Sequence, residues 1–271
     1  TDHEVYYVVG PVDVTIEQAA AQVDPTNTLP VNFTVVFSRP ISLSSFTASD
    51  LTLGGDAPGT PAAALTEIAP NDGTTFNAAV NGLTGSGTVT VSLAANTVQD
   101  TAGNDNNASA STDHTVSYDI AQPGVTVSST AADPTNLAVI TVTITFDEAV
   151  TGFTPTSASG DLVITNGTDS NPAGSGTTYT FDLTPSGQGA VTVMVPAASG
   201  QDAAGNANTE SNTFSITYDS VRPTVTIEQA AAQADPTNAS PIHFTVTFSE
   251  AVTGFEDSDV TLGGGAGATT A

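Results

Sequence analysis

The sequence predicts an all-β chain of tandem immunoglobulin-like β-sandwich domains, about seven strands each, in an extended array. Three features carry that prediction. The first is strict apolar alternation over short segments: Phe33, Val35 and Phe37 fall on one face of VNFTVVFS, and a period of two is the signature of a half-buried strand. The second is the turn chemistry between such segments, with DPTN, NDG, NGLTGSG and DTAGND punctuating the first hundred or so residues. The third is recurrence of the whole pattern at a domain-sized step.

Taken in chain order, the first copy alternates at Val14 and Ile16, then at Phe33, Val35 and Phe37, then at Leu51 and Leu53. It continues with Phe76, Ala78 and Val80, with Val89, Val91 and Leu93, and closes with Val116 and Tyr118. In the second copy the matching sets are Val142, Ile144 and Phe146, then Tyr179, Phe181 and Leu183, then Val191, Val193 and Val195. Threonine dominates the outward positions, where a β-branched residue suits a pleated surface. No stretch sustains a helical period. About seven short strands in about a hundred residues is the arithmetic of an immunoglobulin-like sandwich.

The copies are marked by DPTN at 24–27, 133–136 and 235–238, and by Phe37, Phe146 and Phe248 in the same register. Copies one and three are nearly identical over VTIEQAAAQVDPTN and VTIEQAAAQADPTN. A repeat of this length buries its own core rather than leaning on its neighbours as a short solenoid unit must. The expected domains are residues 10–120, 121–221 and 222–271, the last being the N-terminal half of a further repeat. Residues 1–9, TDHEVYYVV, align with TDHTVSYDI at 112–120 and read as the last strand of a preceding repeat. The expectation is therefore a piece of a longer array, with strand sharing between copies of the protein as the alternative.

Composition narrows the function classes. With 28 acidic residues against 2 basic ones, the net charge is −26. Phosphate recognition needs Lys and Arg to displace counterions, so nucleic acid and anionic membrane surfaces are excluded as partners. No segment approaches the roughly 18 apolar residues of a membrane span. Cysteine is absent and three histidines are present, and no Ser–His–carboxylate pattern repeats with the domains, so there is no nucleophile and base to assemble. The expectation is a protein that is not an enzyme and has no catalytic residue. The chain also has no lysine, which excludes Lys–Asn crosslinks.

The strings DPTNASPIHFTVTFSEAVTGF, SDVTLGG and QDAAGNANT resemble the bacterial Ig-like repeats of very large, repetitive surface and adhesin-type proteins. The resemblance covers the whole chain, with the motifs in the same order in each copy. Copy one departs from it at SRPISLSSF, where copy three reads SEAVTGF. The resemblance implies an extracellular, cell-surface or secreted stalk that projects or links. Its partners would be neighbouring repeats or copies of the same protein, with surface glycan or host protein met through other domains. Two alternatives are a subunit of an assembled filament or sheath, and a repeat that itself binds glycan or protein.

Metal is the best site candidate in the residues themselves. If the loops after the second and sixth strands share the pole nearest the preceding domain, copy two gathers Asp119 from the incoming strand, Asp147 and Glu148 from the first loop, and Asp202 and Asn206 from QDAAGN. Copy three gathers Asp219 and Glu250. Ca²⁺ takes six to eight oxygen ligands in flexible geometry, which suits converging loops. Copy one is an internal control, because Val8 and Arg39 stand where the linker Asp and the Glu should be. The expectation is Ca²⁺ at the domain junctions, stiffening a rod.

Overall fold

The computed structural model describes residues 10–264, and the expected closing strand at 1–9 lies outside them. The chain divides after Tyr218 into two compact units. The first unit holds two separate hydrophobic cores, one built from residues between Val12 and Tyr118 and the other from residues between Val125 and Ile216.

Seven strands enclose the first core: β1 (Val14–Gln18), β2 (Val31–Phe37), β3 (Leu51–Gly54), β4 (Gly59–Glu67), β5 (Thr75–Leu83), β6 (Gly87–Leu93) and β7 (Thr115–Tyr118). One sheet runs β1-β2-β5-β4 and the other β3-β6-β7, every pairing antiparallel. Alternation fixes the register: Val35 faces Phe76, Phe33 faces Ala78, and Val89 faces Val116, so each apolar residue lands on the inner face. Phe37, Phe46 and Phe76 close one end as an edge-to-face trio, with centroids 5.1 to 5.9 Å apart.

The first and last segments of this repeat run parallel. Val12 bridges Asn106, Thr15 bridges Ala110 and Thr26 bridges Tyr118, all in parallel sense. Backbone bonds from Val12 N to Asp105 O (2.9 Å), Asn107 N to Val12 O (2.8 Å), Ala110 N to Val14 O (2.9 Å) and Asp119 N to Thr26 O (2.8 Å) tie them together.

The second core is enclosed by β8 (Val125–Ser128), β9 (Ile140–Val150), β10 (Val163–Thr165), β11 (Gly167–Pro185), β12 (Gly189–Met194) and β13 (Phe214–Tyr218), in sheets β8-β9-β11 and β10-β12-β13. Six continuous strands do the work of seven, because β11 folds back on itself: Asn171 Nδ2 donates to Asp182 Oδ2 at 2.9 Å, whereas a straight strand would hold them more than about 30 Å apart. Asn171 and Gly174 take positive φ at the reversal. The aromatic trio recurs as Phe146, Phe153 and Tyr179.

In the second unit β14 (Val225–Gln229) pairs with β15 (Phe244–Phe248) in the register that joins β1 to β2. Its described part has only these two strands, so Ile227 and Phe244, counterparts of the buried Ile16 and Phe33, are exposed. The remaining regular elements are short 3₁₀ turns at Leu43–Ser45, Ala48–Asp50 and Asp257–Asp259. No helix among the described residues is long and apolar enough to cross a membrane.

Candidate junction cation site

Three of the expected ligands converge. Carboxylate oxygens of Asp119, Glu148 and Asp202 lie within 4.8 Å of one another. That is the span two oxygens reach from opposite sides of one Ca²⁺ at about 2.4 Å each. Asp119 follows β7 of the first repeat, whereas Glu148 and Asp202 belong to the second. The cluster therefore joins the linker to the pole of the repeat it enters.

Each member is positioned by its local sequence. Asp119 Oδ1 accepts from Ser86 Oγ and from Ala121 N, both at 2.9 Å, which holds its carboxylate at the end of the first repeat. Asp202 is buried and opens the turn DAAGN: its Oδ1 accepts from Asn206 N at 2.8 Å and its Oδ2 from Asn206 Nδ2 at 2.9 Å. Gly205 takes φ +91° to close that turn. Glu148 lies within β9 rather than in a loop, at an irregularity where the ladder to β11 steps from the Thr145–Thr178 pair to the Val150–Gly176 pair.

The other expected ligands are placed differently. Asn206 is buried at the cluster, but its Nδ2 donates to the backbone carbonyl of Asp119 as well as to Asp202 Oδ2, so it braces one carboxylate and the main chain of the other residue. Asp147 is exposed and turned toward the start of its own repeat, where its Oδ1 accepts from Gly124 N at 2.8 Å. Asp219 and Glu250 belong to the second unit; Asp219 Oδ1 accepts from Val221 N at 3.0 Å, and Glu250 is exposed. Among the described residues no other set of three such groups converges.

The first repeat builds the same turn with different charges. Asp100 is buried, and Asn104 donates to it from N (2.9 Å) and Nδ2 (2.8 Å), as Asn206 does to Asp202. At the position of Glu148 stands Arg39, whose Nε donates to Asp100 Oδ2 at 2.8 Å and whose Nη2 donates to Gly10 O. A guanidinium thus neutralises in the first repeat a pole that in the second carries three carboxylates. Val8, at the position of Asp119, lies outside the described residues.

Electrostatics separate the two poles. Hydrogen bonds from Asn104, and then the Arg39 guanidinium, hold the Asp100 carboxyl well below the usual range. Burial, followed by the charges of Asp202, Asp119 and Asp147, pushes Glu148 up. For Asp100 the native state binds its proton more weakly than the unfolded chain, so its stabilisation is present above about pH 4 and lost as pH falls further. For Glu148 the native state binds the proton more tightly, so protonation favours folding. Stability withheld at neutral pH returns as pH falls through its raised pKa toward the ordinary value of about 4.3.

In metal-free buffer the melting temperature of the second repeat is therefore expected to rise as pH falls from 7 toward the ordinary carboxylate range of about 4.3. The first repeat is expected to weaken only below about pH 4. Arg39→Met should lower the first repeat's melting temperature by several degrees at pH 7 and leave the second unmoved. Scanning calorimetry checks this, and parallel acid responses of the two repeats would contradict it.

Residue types and spacing located the cluster but not its supports. Ser86 carried no signal of its own and Asn27 only that of a recurring landmark, because each meets the cluster through hydrogen bonds across a long sequence separation. A further pair, Asn106 and Asn208, was legible in the doubled spacing of GNDN and GNAN. Both are buried; Asn106 Oδ1 accepts from Val98 N at 2.8 Å and Asn208 Oδ1 from Gly200 N at 2.7 Å, locking the turn that carries the acidic residue.

Tandem all-β sandwiches with repeated polar poles define a class of β-sandwich repeat module. The family model for the bacterial Ig-like domain matches residues 119–218 and 219–269, more than half of the chain, and the chain belongs to that family. A search of curated proteins finds no match. Among solved structures the chain is similar to FdeC, an Escherichia coli adhesin, at 18% identity over 82% of this chain and 71% of that one, with a TM-score of 0.40. It is similar to the Yersinia pseudotuberculosis adhesin InvE at 17% identity over 76% of this chain and 58% of that one, with a TM-score of 0.27. The N-terminal part of the bacterial S-layer protein SbsC gives 15% identity over 77% of this chain and 44% of that one, with a TM-score of 0.27.

Proposed function

We propose that this chain is a non-enzymatic, extracellular stalk segment of tandem Ig-like repeats, located at the cell surface or secreted, whose repeat junctions are stiffened by Ca²⁺. Family membership and the excess of acidic over basic residues support the structural role. The convergence of Asp119, Glu148 and Asp202 carries the cation reading. Three negative groups gathered in partial burial repel one another unless a cation is shared between them. Because Asp119 comes from the linker, an ion held by all three fixes the linker against the entering repeat. The first repeat supports the same logic, since its pole carries a built-in positive charge. A stalk displays partners rather than processing them, so adhesion to surface glycan or host protein is assigned to other domains.

Calorimetric titration of Ca²⁺ into the full chain is expected to show saturable binding of about one ion at micromolar to millimolar affinity. Asp202→Asn, which keeps the shape of the turn but halves its carboxylate oxygens, should weaken that binding at least tenfold. An absence of saturable heat up to millimolar Ca²⁺ would overturn the cation reading.

A further inference from the structure

The DPTN motif marks each copy in the sequence, yet neither the hydrophobic core nor the acidic cluster uses its last residue. In the first repeat that residue is Asn27, and its Nδ2 donates to Asn206 Oδ1 at 3.1 Å across 179 positions of sequence. We propose that the DPTN loop at the far pole of one repeat is the docking element for the D-x-A-G-N turn at the near pole of the next, with the asparagine pair locking their orientation. This rests on the stalk reading only in treating repeat-to-repeat contact as functional, and it does not require a bound cation.

Both halves of the contact are prepared before they meet. On the receiving side both amide hydrogens of Asn206 are committed, one to Asp202 Oδ2 and one to Asp119 O, each at 2.9 Å. Reversing the amide would set its oxygen against a carboxylate and a carbonyl, so the orientation is fixed and Oδ1 is presented outward as an acceptor. Gly205 lies directly beneath the contact, where a Cβ would stand 3.5 Å from Asn27 Nδ2, and its φ of +91° shapes the turn that presents Asn206.

On the docking side the loop is fastened to the last strand of its own repeat. Asp24 Oδ1 accepts from Ser117 N at 2.9 Å, Thr26 N donates to Ser117 O at 2.9 Å, and the Thr26 side chain is buried. Asn27 is thereby held in register with the strand that delivers Asp119 to the cluster. One rigid segment presents both the linker carboxylate and the docking amide.

The second repeat carries the same two devices. Asp133 Oδ1 accepts from Thr217 N at 2.9 Å, Thr135 N donates to Thr217 O at 2.9 Å, and Thr135 is buried. Asn136 is thus presented as Asn27 is, and it is exposed. The first repeat in turn has the receiving turn, with Asn104 bonded to Asp100 as Asn206 is to Asp202. Each repeat therefore has one docking pole and one receiving pole. The partner such a surface fits is a further copy of the same repeat, placed head to tail, a heterologous contact in which each copy leaves one pole available for the next.

The chain contains no cysteine, so Ala64→Cys and Ser215→Cys, both at exposed strand positions in different repeats, give a unique spin-labelled pair in the full chain. Double electron–electron resonance in EDTA is expected to give one narrow distance. Asn27→Ala and the isosteric Asn27→Asp, which cannot donate, should each broaden that distribution about twofold or more with the melting temperatures of the two repeats unchanged. Thr28→Ala, beside the contact, should leave it narrow. An unchanged distribution in both Asn27 variants would overturn the latch, as would equal broadening by Thr28→Ala. The cation reading is judged separately by whether added Ca²⁺ narrows the distribution of the unaltered pair, so the two ideas fail independently.

Discussion

Phe146→Ala is expected to destabilise the second repeat by about 3–5 kcal/mol, the usual cost of truncating a fully buried phenylalanine, and to leave the first repeat untouched. Phe146 is 2% exposed, sits on the inner face of β9 opposite Val125, and packs edge-to-face against Phe153 at 5.1 Å and Tyr179 at 5.9 Å. Truncation removes two ring contacts as well as burial, and the close-packed neighbours relax only partly into the space. Against a typical domain stability of about 5–15 kcal/mol, a loss of that size brings the repeat close to unfolding. In a calorimetric scan its transition should fall by about 12 °C or more, at roughly 4 °C per kcal/mol for a domain of about a hundred residues. The first repeat should keep its transition, because no residue of its core belongs to the second core. Val139→Ala, at a position 50% exposed, is the control and should shift nothing beyond about 0.5 kcal/mol. Equal shifts of both transitions would show that the repeats unfold as one unit.

Glu148→Arg should abolish Ca²⁺ binding at the junction and at the same time raise the metal-free stability of the second repeat. The substitution installs at the second pole what Arg39 supplies at the first, a guanidinium facing the buried Asp of the D-x-A-G-N turn. It removes one of three carboxylates and sets a positive charge beside the other two, so a divalent ion loses a ligand and meets repulsion. In the unaltered chain, Ca²⁺ at a hundred times its dissociation constant should stabilise the second repeat by about 2.7 kcal/mol. In the variant that increment should vanish, while the metal-free melting temperature rises as the repulsion around Glu148 is relieved. The reciprocal Arg39→Glu should lower the metal-free stability of the first repeat. If Glu148→Arg kept the Ca²⁺-induced shift, the ion would have to bind elsewhere.

Most of the fold was legible because it follows from alternation. Once Phe33, Val35 and Phe37 are placed inward, a period of two leaves little choice of register, and the structure pairs them with Ala78, Phe76 and Val14. The strand β9 was harder to end from sequence. Asp147 and Glu148 look like loop residues, and the ladder to β11 is irregular at them, stepping from the Thr145–Thr178 pair to the Val150–Gly176 pair, yet extended backbone continues to Val150 with Asp147 exposed and Glu148 half-buried. Spacing could place both near the pole but could not say that only Glu148 turns toward Asp202. The folding back of β11 was hidden for a different reason: DSNPAGSG carries no apolar alternation, and the reversal rests on positive φ at Asn171 and Gly174 and on the bond from Asn171 to Asp182. Asn27 illustrates the remaining gap. Its role depends on a partner 179 residues away, and the sequence recorded it only as a landmark that recurs.

The parallel pairing of the first and last segments of the first repeat has a mechanical consequence. In the first repeat Val12, Thr15 and Thr26 bridge Asn106, Ala110 and Tyr118 in the same direction, and in the second Thr135 bridges Tyr218 likewise. Tension applied to the two ends of a repeat pulls such parallel segments along their length in opposite directions. The hydrogen bonds between them are then loaded in shear, side by side, instead of being peeled apart one after another from an end. A row loaded in that way must give together, so the force needed to extend the chain is set by the whole row and not by its weakest bond.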